Sequence, residues 1–387
     1  MIEDKLREIV RKKSTLLGVG PMSKNIVDAS IELGSDYSIP ILLIASRRQI
    51  DSSEFNGGYV NNWTTQEWSE YVKKKDFKNN IILCRDHGGP WQNNIEKLNN
   101  LDLSQAMESA KISYENDIKS GLQIIHIDPS IDIHNNTNID TILDRIKELY
   151  EFCVEKAEKY KKDIIFEIGT EEQSGGTNTL EELEYTLNNI YSFCYENKFK
   201  NPSFVVIQCG TKVMEMRNVG SFESPFRIKN EIPIEIQLPK MIEICNKYNI
   251  FMKEHNTDYL TTEALTWHPR LGIHAANVAP EFGLAETKTL ISILEANNLK
   301  KIRDEFIELA YNSKKWDKWM LSDSKASDKD RALIAGHYVF SNEIFKELKL
   351  KAEVELNKLG INLDEKLIYS IKNCIKRYLK AFRLIKT

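Results

Sequence analysis

The chain has 387 residues, of which 41% are hydrophobic and 28% are charged, so it can bury the large core of an ordinary globular protein. A formal net charge of −4 leaves no excess of Lys and Arg for phosphate backbones, which argues against a nucleic-acid partner. No segment approaches the ~20 apolar residues of a membrane span, and the six cysteines have neither metal-ribbon nor C-x-x-C spacing, so we expect a cytoplasmic protein with reduced thiols.

In chain order, a charged amphipathic helix comes first, and short apolar segments then alternate with segments of helical period. The apolar segments are residues 16–20, 39–46, 81–86, 122–128, 164–171, 204–211, 250–255 and 271–277. Eight such strands alternating with helices predict an α/β fold, a (β/α)8 TIM barrel in which both faces of every strand are covered. A doubly wound open sheet is the alternative, but no G-x-G-x-x-G motif follows the first strand.

Several of the intervening helices have clear start signals or faces. Thr64 with Glu67, and Thr179 with Glu182, fit the capping box, in which a Thr hydroxyl and a Glu side chain satisfy free backbone N–H groups. One predicted helix between residues 139 and 157 has an apolar face that would pack on a sheet. Its members are Ile139, Ile142, Leu143, Ile146, Leu149, Tyr150 and Cys153.

The pattern changes after about residue 320. A polar, turn-like segment at residues 322–331 is followed by two helical segments, around residues 342–359 and 364–382, that meet at Gly360. We therefore predict a barrel domain over residues 1–320 and a C-terminal helical extension over residues 321–387. The extension would cap the barrel or form an oligomer interface.

Polar side chains follow the predicted strands, and the carboxyl ends of parallel barrel strands meet at one reactive face. These residues are Asp86, His87, His126, Asp128, Glu167, Glu171, Gln208, His255, Asn256, Asp258 and Asn277. His126 and Asp128 are two residues apart in a strand, so both face the same side. Imidazoles and carboxylates that converge from different strands are the ligands of a zinc-type Lewis-acid site with one position open for a substrate oxygen.

Each of these residues also has a structural interpretation. Glu167 and Asp128 could form ion pairs inside the mouth of the barrel, and Cys209 could be a small buried side chain. His134 lies deep in a polar loop. We expect His268, His274 and His337 to be structural, at the surface or close to the substrate.

Six motifs, in order, resemble the so-called non-catalytic subunit of class II tagatose-bisphosphate aldolase, a family of galactitol and N-acetylgalactosamine catabolism. They are "IASRRQIDSSEFNGGYVNNWTTQEW", "RDHGGPW", "IIHIDPS", "IGTEEQSGG", "VIQCG" and "KEHNTDYLTTEAL". The resemblance extends through much of the barrel. It departs at Cys209, where the family has Pro, loosens over residues 267–286, and is barely comparable after Arg331.

The family is related to class II aldolases, which bind a divalent metal through three His. The resemblance therefore implies that His87 and His255 are metal ligands and that Asp86 is the general acid/base. The third ligand stays open, because no His follows Gly210 and Thr211. The candidates are His126, Gln208 and Glu171, and we assign His126 to the metal and Glu171 to catalysis. The residues assigned to the substrate are Gln49, Asp128, Gln208, Asn256, Asp258 and Asn277.

The predicted function is that of a metal-dependent aldolase, with Zn²⁺ as the expected ion. It would cleave or form a carbon–carbon bond in a phosphorylated or otherwise activated sugar by stabilising an enediolate. One alternative is a non-catalytic subunit that activates a catalytic aldolase partner. The other is a metal-dependent sugar isomerase or epimerase. We also expect a homo-oligomer.

Overall fold

The computed structural model describes residues 2–170, 179–223 and 232–386. Eight parallel strands close into a barrel in the order β1, β10, β9, β6, β5, β4, β3, β2, with β1 paired to both β2 and β10. The barrel strands are β1 (Leu16–Val19), β2 (Ile41–Ser46), β3 (Ile81–Gly88), β4 (Ile124–Ile127), β5 (Ile165–Ile168), β6 (Phe204–Ile207), β9 (Phe251–Glu254) and β10 (Ala275–Val278). This closure confirms the predicted (β/α)8 barrel, since an open sheet would leave two edges unpaired.

Fourteen α-helices lie in the described part of the chain, most of them around the barrel. They are α1 (Ile2–Arg11), α2 (Lys24–Tyr37), α3 (Thr65–Lys75), α4 (Asn94–Leu98), α5 (Leu103–Ser120), α6 (Ile139–Lys159), α7 (Leu180–Asn197), α8 (Ile234–Lys247), α9 (Thr262–Leu271), α10 (Pro280–Ala296), α11 (Lys300–Asn312), α12 (Asp328–Ala335), α13 (Glu343–Lys358) and α14 (Leu363–Ala381). A short antiparallel hairpin of β7 (Val213–Met214) and β8 (Arg217–Asn218), which the sequence analysis did not predict, follows β6.

Local sequence signals explain where several of these helices begin. The capping boxes at the starts of α3 and α7 are both formed, with Thr64 and Thr179 as the N-cap residues. In α6, the predicted apolar face is buried from Ile142 to Cys153. The two predicted helix starts are thus confirmed, and α6 buries the face that its sequence predicts.

The barrel interior is apolar at its amino-terminal end. Inward-facing side chains from successive strands, with Leu6 of α1 beneath them, form one buried cluster. The strand residues of this cluster are Leu16, Leu42, Ile44, Ile82, Cys84, Ile124, Ile165, Phe204, Phe251 and Ala275. Because alternate residues of a strand face the same side, each of these positions predicts which later residues of its strand also point inward.

The C-terminal helices contribute to two cores. The residues Ile371, Ile375, Tyr378, Leu379 and Phe382, at or just past the carboxyl half of α14, belong to the main core around the barrel, where α14 packs against α2, α9 and α10. Helices α10 to α13 and the start of α14 surround a second apolar core. The observed α13 and α14 match the two helices predicted for this region, while the division of the chain near residue 320 stays a prediction.

No helix in the described ranges combines the length and the apolar character that a membrane crossing requires.

Replacing Ile375 by Ala should lower the free energy of unfolding by about 2–5 kcal/mol, because its fully buried side chain joins α14 to the main core. Urea denaturation followed by circular dichroism measures the loss. Tyr369→Ala is the control on the same helix, since this side chain is 66% exposed and should change stability little. Equal stabilities for the two variants would contradict the assignment of α14 to the core.

Glu286 of α10 should make stability depend on pH. Its carboxylate accepts hydrogen bonds from the Ser23 hydroxyl at 2.5 Å and the Asn25 amide at 2.9 Å, but burial raises its pKa from 4.5 to about 7. The folded state therefore binds a proton more tightly than the unfolded state. This contribution to stability is complete below about pH 4.5 and disappears as the pH rises through about 7, at a cost on the order of 3 kcal/mol.

The Glu286→Gln variant should lose this part of the pH dependence, because an amide cannot ionise. Unfolding free energies at pH 5 and pH 8 measure the effect. The exposed Glu196→Gln variant serves as the control. Parallel pH profiles for Glu286→Gln and the parent would refute the proposed linkage.

Candidate metal site

The candidate site continues the inward rows of the barrel strands. Residues two apart in a strand face the same side. Since Cys84 of β3 and Ile124 of β4 face the barrel interior, Asp86 and His126 face it as well. By the same rule, Glu167 of β5, Lys253 and His255 at β9, and Asn277 of β10 face the axis. Each of these side chains is buried. The barrel axis thus changes from apolar to charged toward the carboxyl ends of the strands.

Four of these residues form a compact cluster, which we call the cluster of Asp86, His126, Glu167 and His255. Atom Oδ1 of Asp86 lies 3.8 Å from His126 Nδ1 and 3.6 Å from His255 Nε2. Atom Oε1 of Glu167 lies 3.6 Å and 3.7 Å from the same two nitrogens. Ligands about 2.1 Å from a tetrahedral ion are about 3.4 Å apart, so this spacing is close to that of a metal cage.

Unsatisfied atoms within the cluster fit a cation. Glu167 Oε1 and His255 Nε2 are buried and have no hydrogen-bond partner among the described residues. A buried polar atom without a partner costs free energy, which a bound ion would recover. His126 differs, since its Nδ1 accepts the backbone N–H of His87 at 3.1 Å, and a metal at this atom would compete with that bond.

Lys253 sets the charge balance of the cluster. Its ammonium is 1% exposed and donates to Glu167 Oε2 at 2.7 Å. Burial alone would raise the pKa of Glu167, but the charge of Lys253 and the nearby imidazoles lower it to about 2. Burial would likewise raise the pKa of Asp86, yet His87 and His255 hold it below its ordinary value. When the paired His87 and Asp128 are included, three carboxylates face two cationic groups, which leaves one buried negative charge that a bound cation would offset.

His87 reaches the site through an irregularity of β3. The register of β3 against β4 shifts between Arg85 and Gly88, and His87 has a φ of +45°. Its Nδ1 is 2.6 Å from Asp128 Oδ2, and its ring centroid is 4.8 Å from that of His255. Burial alone would lower the pKa of His87, but the charges of Asp86 and Asp128 raise it to about 9. His87 therefore lies outside the four-residue cluster and is paired with Asp128.

The two glycines after His87 are required by close backbone contacts. A Cβ at Gly88 would lie 2.5 Å from the Tyr114 ring. A Cβ at Gly89, where φ is +142°, would lie 2.3 Å from the carbonyl oxygen of Asp128. The Gly-Gly pair thus lets β3 pass closely beside β4, which brings His87 within reach of Asp128.

A cleft of about 820 Å³ opens above the cluster. Asp86, His87 and His255 line it, together with four of the residues predicted to bind substrate: Gln49, Asn256, Asp258 and Asn277. Asn277 also donates to Asp86 Oδ1 at 3.2 Å. Asp258 accepts the backbone N–H groups of Ala279 and Glu281, both at 2.9 Å, and burial followed by the charge of Glu281 raises its pKa to about 8.

The remaining predicted residues differ in their surroundings. Gln49 is held in place, since its Oε1 accepts the Ser46 N–H at 2.7 Å. Asp128 contacts His87 and accepts from Ser130 rather than lining the cleft. Gln208 is buried just beyond β6, also outside the lining of this cleft. Glu171 lies outside the described residues.

The sequence analysis did not select Glu167 as a ligand or Lys253 as its partner. The signals were available, because both residues fall on inward positions of their strands and a lysine inside an otherwise apolar strand needs a counter-charge. Cationic side chains at the rim of the cleft, among them Arg48 and Lys318, were also missed. Lys318 is far from the barrel strands in sequence, so no local pattern places it there.

Three of the other four histidines have partners outside the cluster, while His337 is buried and neither of its ring nitrogens has a hydrogen-bond partner among the described residues. His268 is 2.7 Å from Glu254, and His274 accepts the Met252 N–H at 2.9 Å. His134 contacts the carbonyl oxygen of Leu101 at 2.9 Å. These contacts are structural.

Known structures share the fold at low sequence identity. A crystal structure of a probable tagatose 6 phosphate kinase from Sinorhizobium meliloti 1021 has a TM-score of 0.76 and 14% identity, covering 95% of this chain and all of that one. The fructuronate-tagaturonate epimerase UxaE from Cohnella laeviribosi has a TM-score of 0.60 and 11% identity, covering 96% and 81%. Fructose-bisphosphate aldolase from Campylobacter jejuni has a TM-score of 0.56 and 11% identity, covering 97% and 93%.

No sequence among the curated proteins matches the chain. A family model does match, over residues 6–381, and it describes the D-tagatose-1,6-bisphosphate aldolase subunit GatZ/KbaZ-like family. The match includes the barrel, the candidate site and the C-terminal helices. The chain therefore belongs to the D-tagatose-1,6-bisphosphate aldolase subunit GatZ/KbaZ-like family.

Proposed function

We propose that the chain is a metal-dependent, aldolase-like lyase that acts on a sugar in the cleft above the cluster of Asp86, His126, Glu167 and His255. The observation that carries the proposal is the pair of buried atoms without partners, Glu167 Oε1 and His255 Nε2, at 3.7 Å from each other. Nitrogen and carboxylate donors suit Zn²⁺, which remains the expected ion, as well as other divalent metals.

A divalent ion bound there would supply Lewis-acid stabilisation of the negative charge that develops when a carbon–carbon bond beside a carbonyl group breaks. The protein side chains would hold and move the proton. Lys253 keeps Glu167 ionised, and Asn277 orients Asp86. In cleavage, a hydroxyl group loses its proton and the bonding electron pair stays with the carbon beside the carbonyl group.

Two residues are candidates for the proton carrier. His87 lines the cleft, its side chain is 31% exposed, and its Nδ1 contact with Asp128 leaves Nε2 to exchange a proton with a sugar hydroxyl. This geometry supports His87 as the acid/base and Asp86 as a ligand. The sequence analysis predicts the reverse, with His87 as a ligand and Asp86 as the acid/base, and the variants below separate the two assignments.

The second candidate function is that of a non-catalytic subunit that activates an aldolase partner. The family model supports it, because it describes an aldolase subunit. A sugar isomerase or epimerase on the same site is a further alternative, and its products would keep the carbon count of the substrate. The phosphorylated or activated sugar, the cytoplasmic location and the homo-oligomer predicted from the sequence stay proposals.

The purified chain should bind about one divalent ion, and Glu167→Gln or His255→Ala should weaken this binding strongly, because each removes a donor with no other partner. Elemental analysis after dialysis and calorimetric titration with Zn²⁺ measure the effect. His134→Ala is the control, since this imidazole lies in a distant loop. Unchanged metal content in folded Glu167→Gln and His255→Ala proteins would overturn the site.

His87→Asn should keep the metal and lower the rate of aldol cleavage on the order of 10²–10⁴-fold, because it removes a positioned proton carrier. Asp86→Asn should lose metal affinity. The measurements are metal content and release of triose product from ketose phosphates by the chain alone. Loss of metal in His87→Asn, with metal retained and turnover lost in Asp86→Asn, would instead support the assignment made from the sequence. If the parent releases no product alone but accelerates an added aldolase, the non-catalytic function is correct.

A further inference from the structure

The rim of the cleft carries a group of cations whose charge the fold leaves unbalanced. Four cationic residues line the cleft that contains Asp86, His87 and His255: Arg48, two residues past the end of β2, and Lys314, Lys315 and Lys318, after α11. We call these four residues the cationic rim. Within the described ranges, none of the four side chains forms an ion pair or donates a hydrogen bond, whereas other lysines of the molecule, such as Lys349 and Lys372, do pair with carboxylates.

One member of the cationic rim, Lys318, is held in place by aromatic side chains. The Lys318 ammonium lies 4.7 Å from the Trp319 ring and 5.3 Å from the Tyr338 ring. The Tyr338 ring packs at 4.8 Å against Tyr59, and the Trp319 indole N–H donates to the Tyr338 hydroxyl at 3.1 Å. Cation–π contacts position an ammonium group without neutralising its charge. The lysine therefore keeps its charge available toward the cleft.

The charges of the rim also act on one another. Arg48, Lys315 and Lys318 carry like charges and line one cleft, so they repel one another. An anion placed among these cations would relieve their mutual repulsion.

We propose that the cationic rim, with Arg48 and Lys318 at its centre, binds the phosphate group of a sugar phosphate whose other end reaches the cluster of Asp86, His126, Glu167 and His255. Several converging cations suit a phosphate dianion better than a neutral hydroxyl group. Asp317, the neighbour of Lys318 in the sequence, also lines the cleft, but its carboxylate forms no ion pair with any of the four cations among the described residues. The proposal deepens the proposed function, because it assigns the anionic end of the substrate to named residues.

A carboxylate of a sugar acid is the other source of a negative charge for this rim. It carries one charge and two oxygens, whereas the phosphate carries up to two charges and three oxygens. The open cleft has room for either group. The experiment therefore compares both ligands.

The test is calorimetric titration of the full chain in EDTA, first with inorganic phosphate and then with fructose 6-phosphate, fructose and glucuronate. EDTA removes any metal, so binding at the cluster does not contribute. Fructose 6-phosphate should bind, and the Arg48→Gln and Lys318→Gln variants should each weaken phosphate and fructose 6-phosphate binding on the order of tenfold, because each removes a charge-assisted contact. Arg11→Gln and Lys351→Gln, at exposed positions outside the cleft, are the matched controls and should bind like the parent.

The proposal is overturned if the parent binds neither phosphate nor fructose 6-phosphate, if Arg48→Gln and Lys318→Gln bind as the parent does, or if the controls lose as much affinity. Tighter binding of glucuronate than of fructose 6-phosphate would also overturn it in favour of a carboxylate. Since metal is absent from this titration, phosphate binding by a chain that shows no lyase activity would retain the cationic rim and reject the proposed function. Lyase activity without phosphate binding would retain the proposed function and reject the cationic rim as a phosphate site.

Discussion

Closure of the barrel is the constraint on which the site depends. When β1 pairs with β10, every strand has one row of side chains that faces the common axis, and the period of two determines which residues those are. At the amino-terminal end these rows are filled by Leu, Ile, Phe and Ala side chains that exclude water. At the carboxyl end the same rows carry Asp86, His126, Glu167 and Lys253. The charged side chains therefore lie directly above the apolar side chains of the same strands, along the barrel axis.

Charge compensation is the second constraint. Burying Glu167 and Asp86 without counter-charges would be costly, so Lys253 and the imidazoles around them hold both carboxylates in their ionised form. Lys253 contacts only Oε2 of Glu167, which leaves Oε1 directed at His126 and His255. The arrangement keeps carboxylate and imidazole donors together at a spacing suited to a cation, while the hydrogen bond from Asn277 restrains Asp86.

Two departures from a regular barrel shape the region around these donors. The irregularity of β3 between Arg85 and Gly88 brings His87, which does not belong to the inward row, to the mouth of the barrel, and the absence of side chains at Gly88 and Gly89 lets it meet Asp128. The segment after α11 returns to the mouth of the barrel and places Lys318 and Trp319 beside Tyr338. The C-terminal part of the chain thus contributes α14 to the main core around the barrel, and it contributes Lys318 and Trp319 to the rim of the cleft.

The sequence by itself determined the eight strands, the two capping boxes, the buried face of α6 and the two last helices, because local periodicity and short-range hydrogen bonds control these features. It also predicted that Asp86, His126 and His255 approach one another, since the carboxyl ends of parallel strands must converge. Only the tertiary structure decided that Glu167 faces those imidazoles with Lys253 as its counter-ion, because the pairing joins β5 to β9 across the axis. It also decided that His87 pairs with Asp128, because a strand irregularity leaves no local pattern in the sequence. The placement of Arg48 and Lys318 in one rim was likewise decided by the tertiary structure, because it brings residues far apart in the chain to the same cleft.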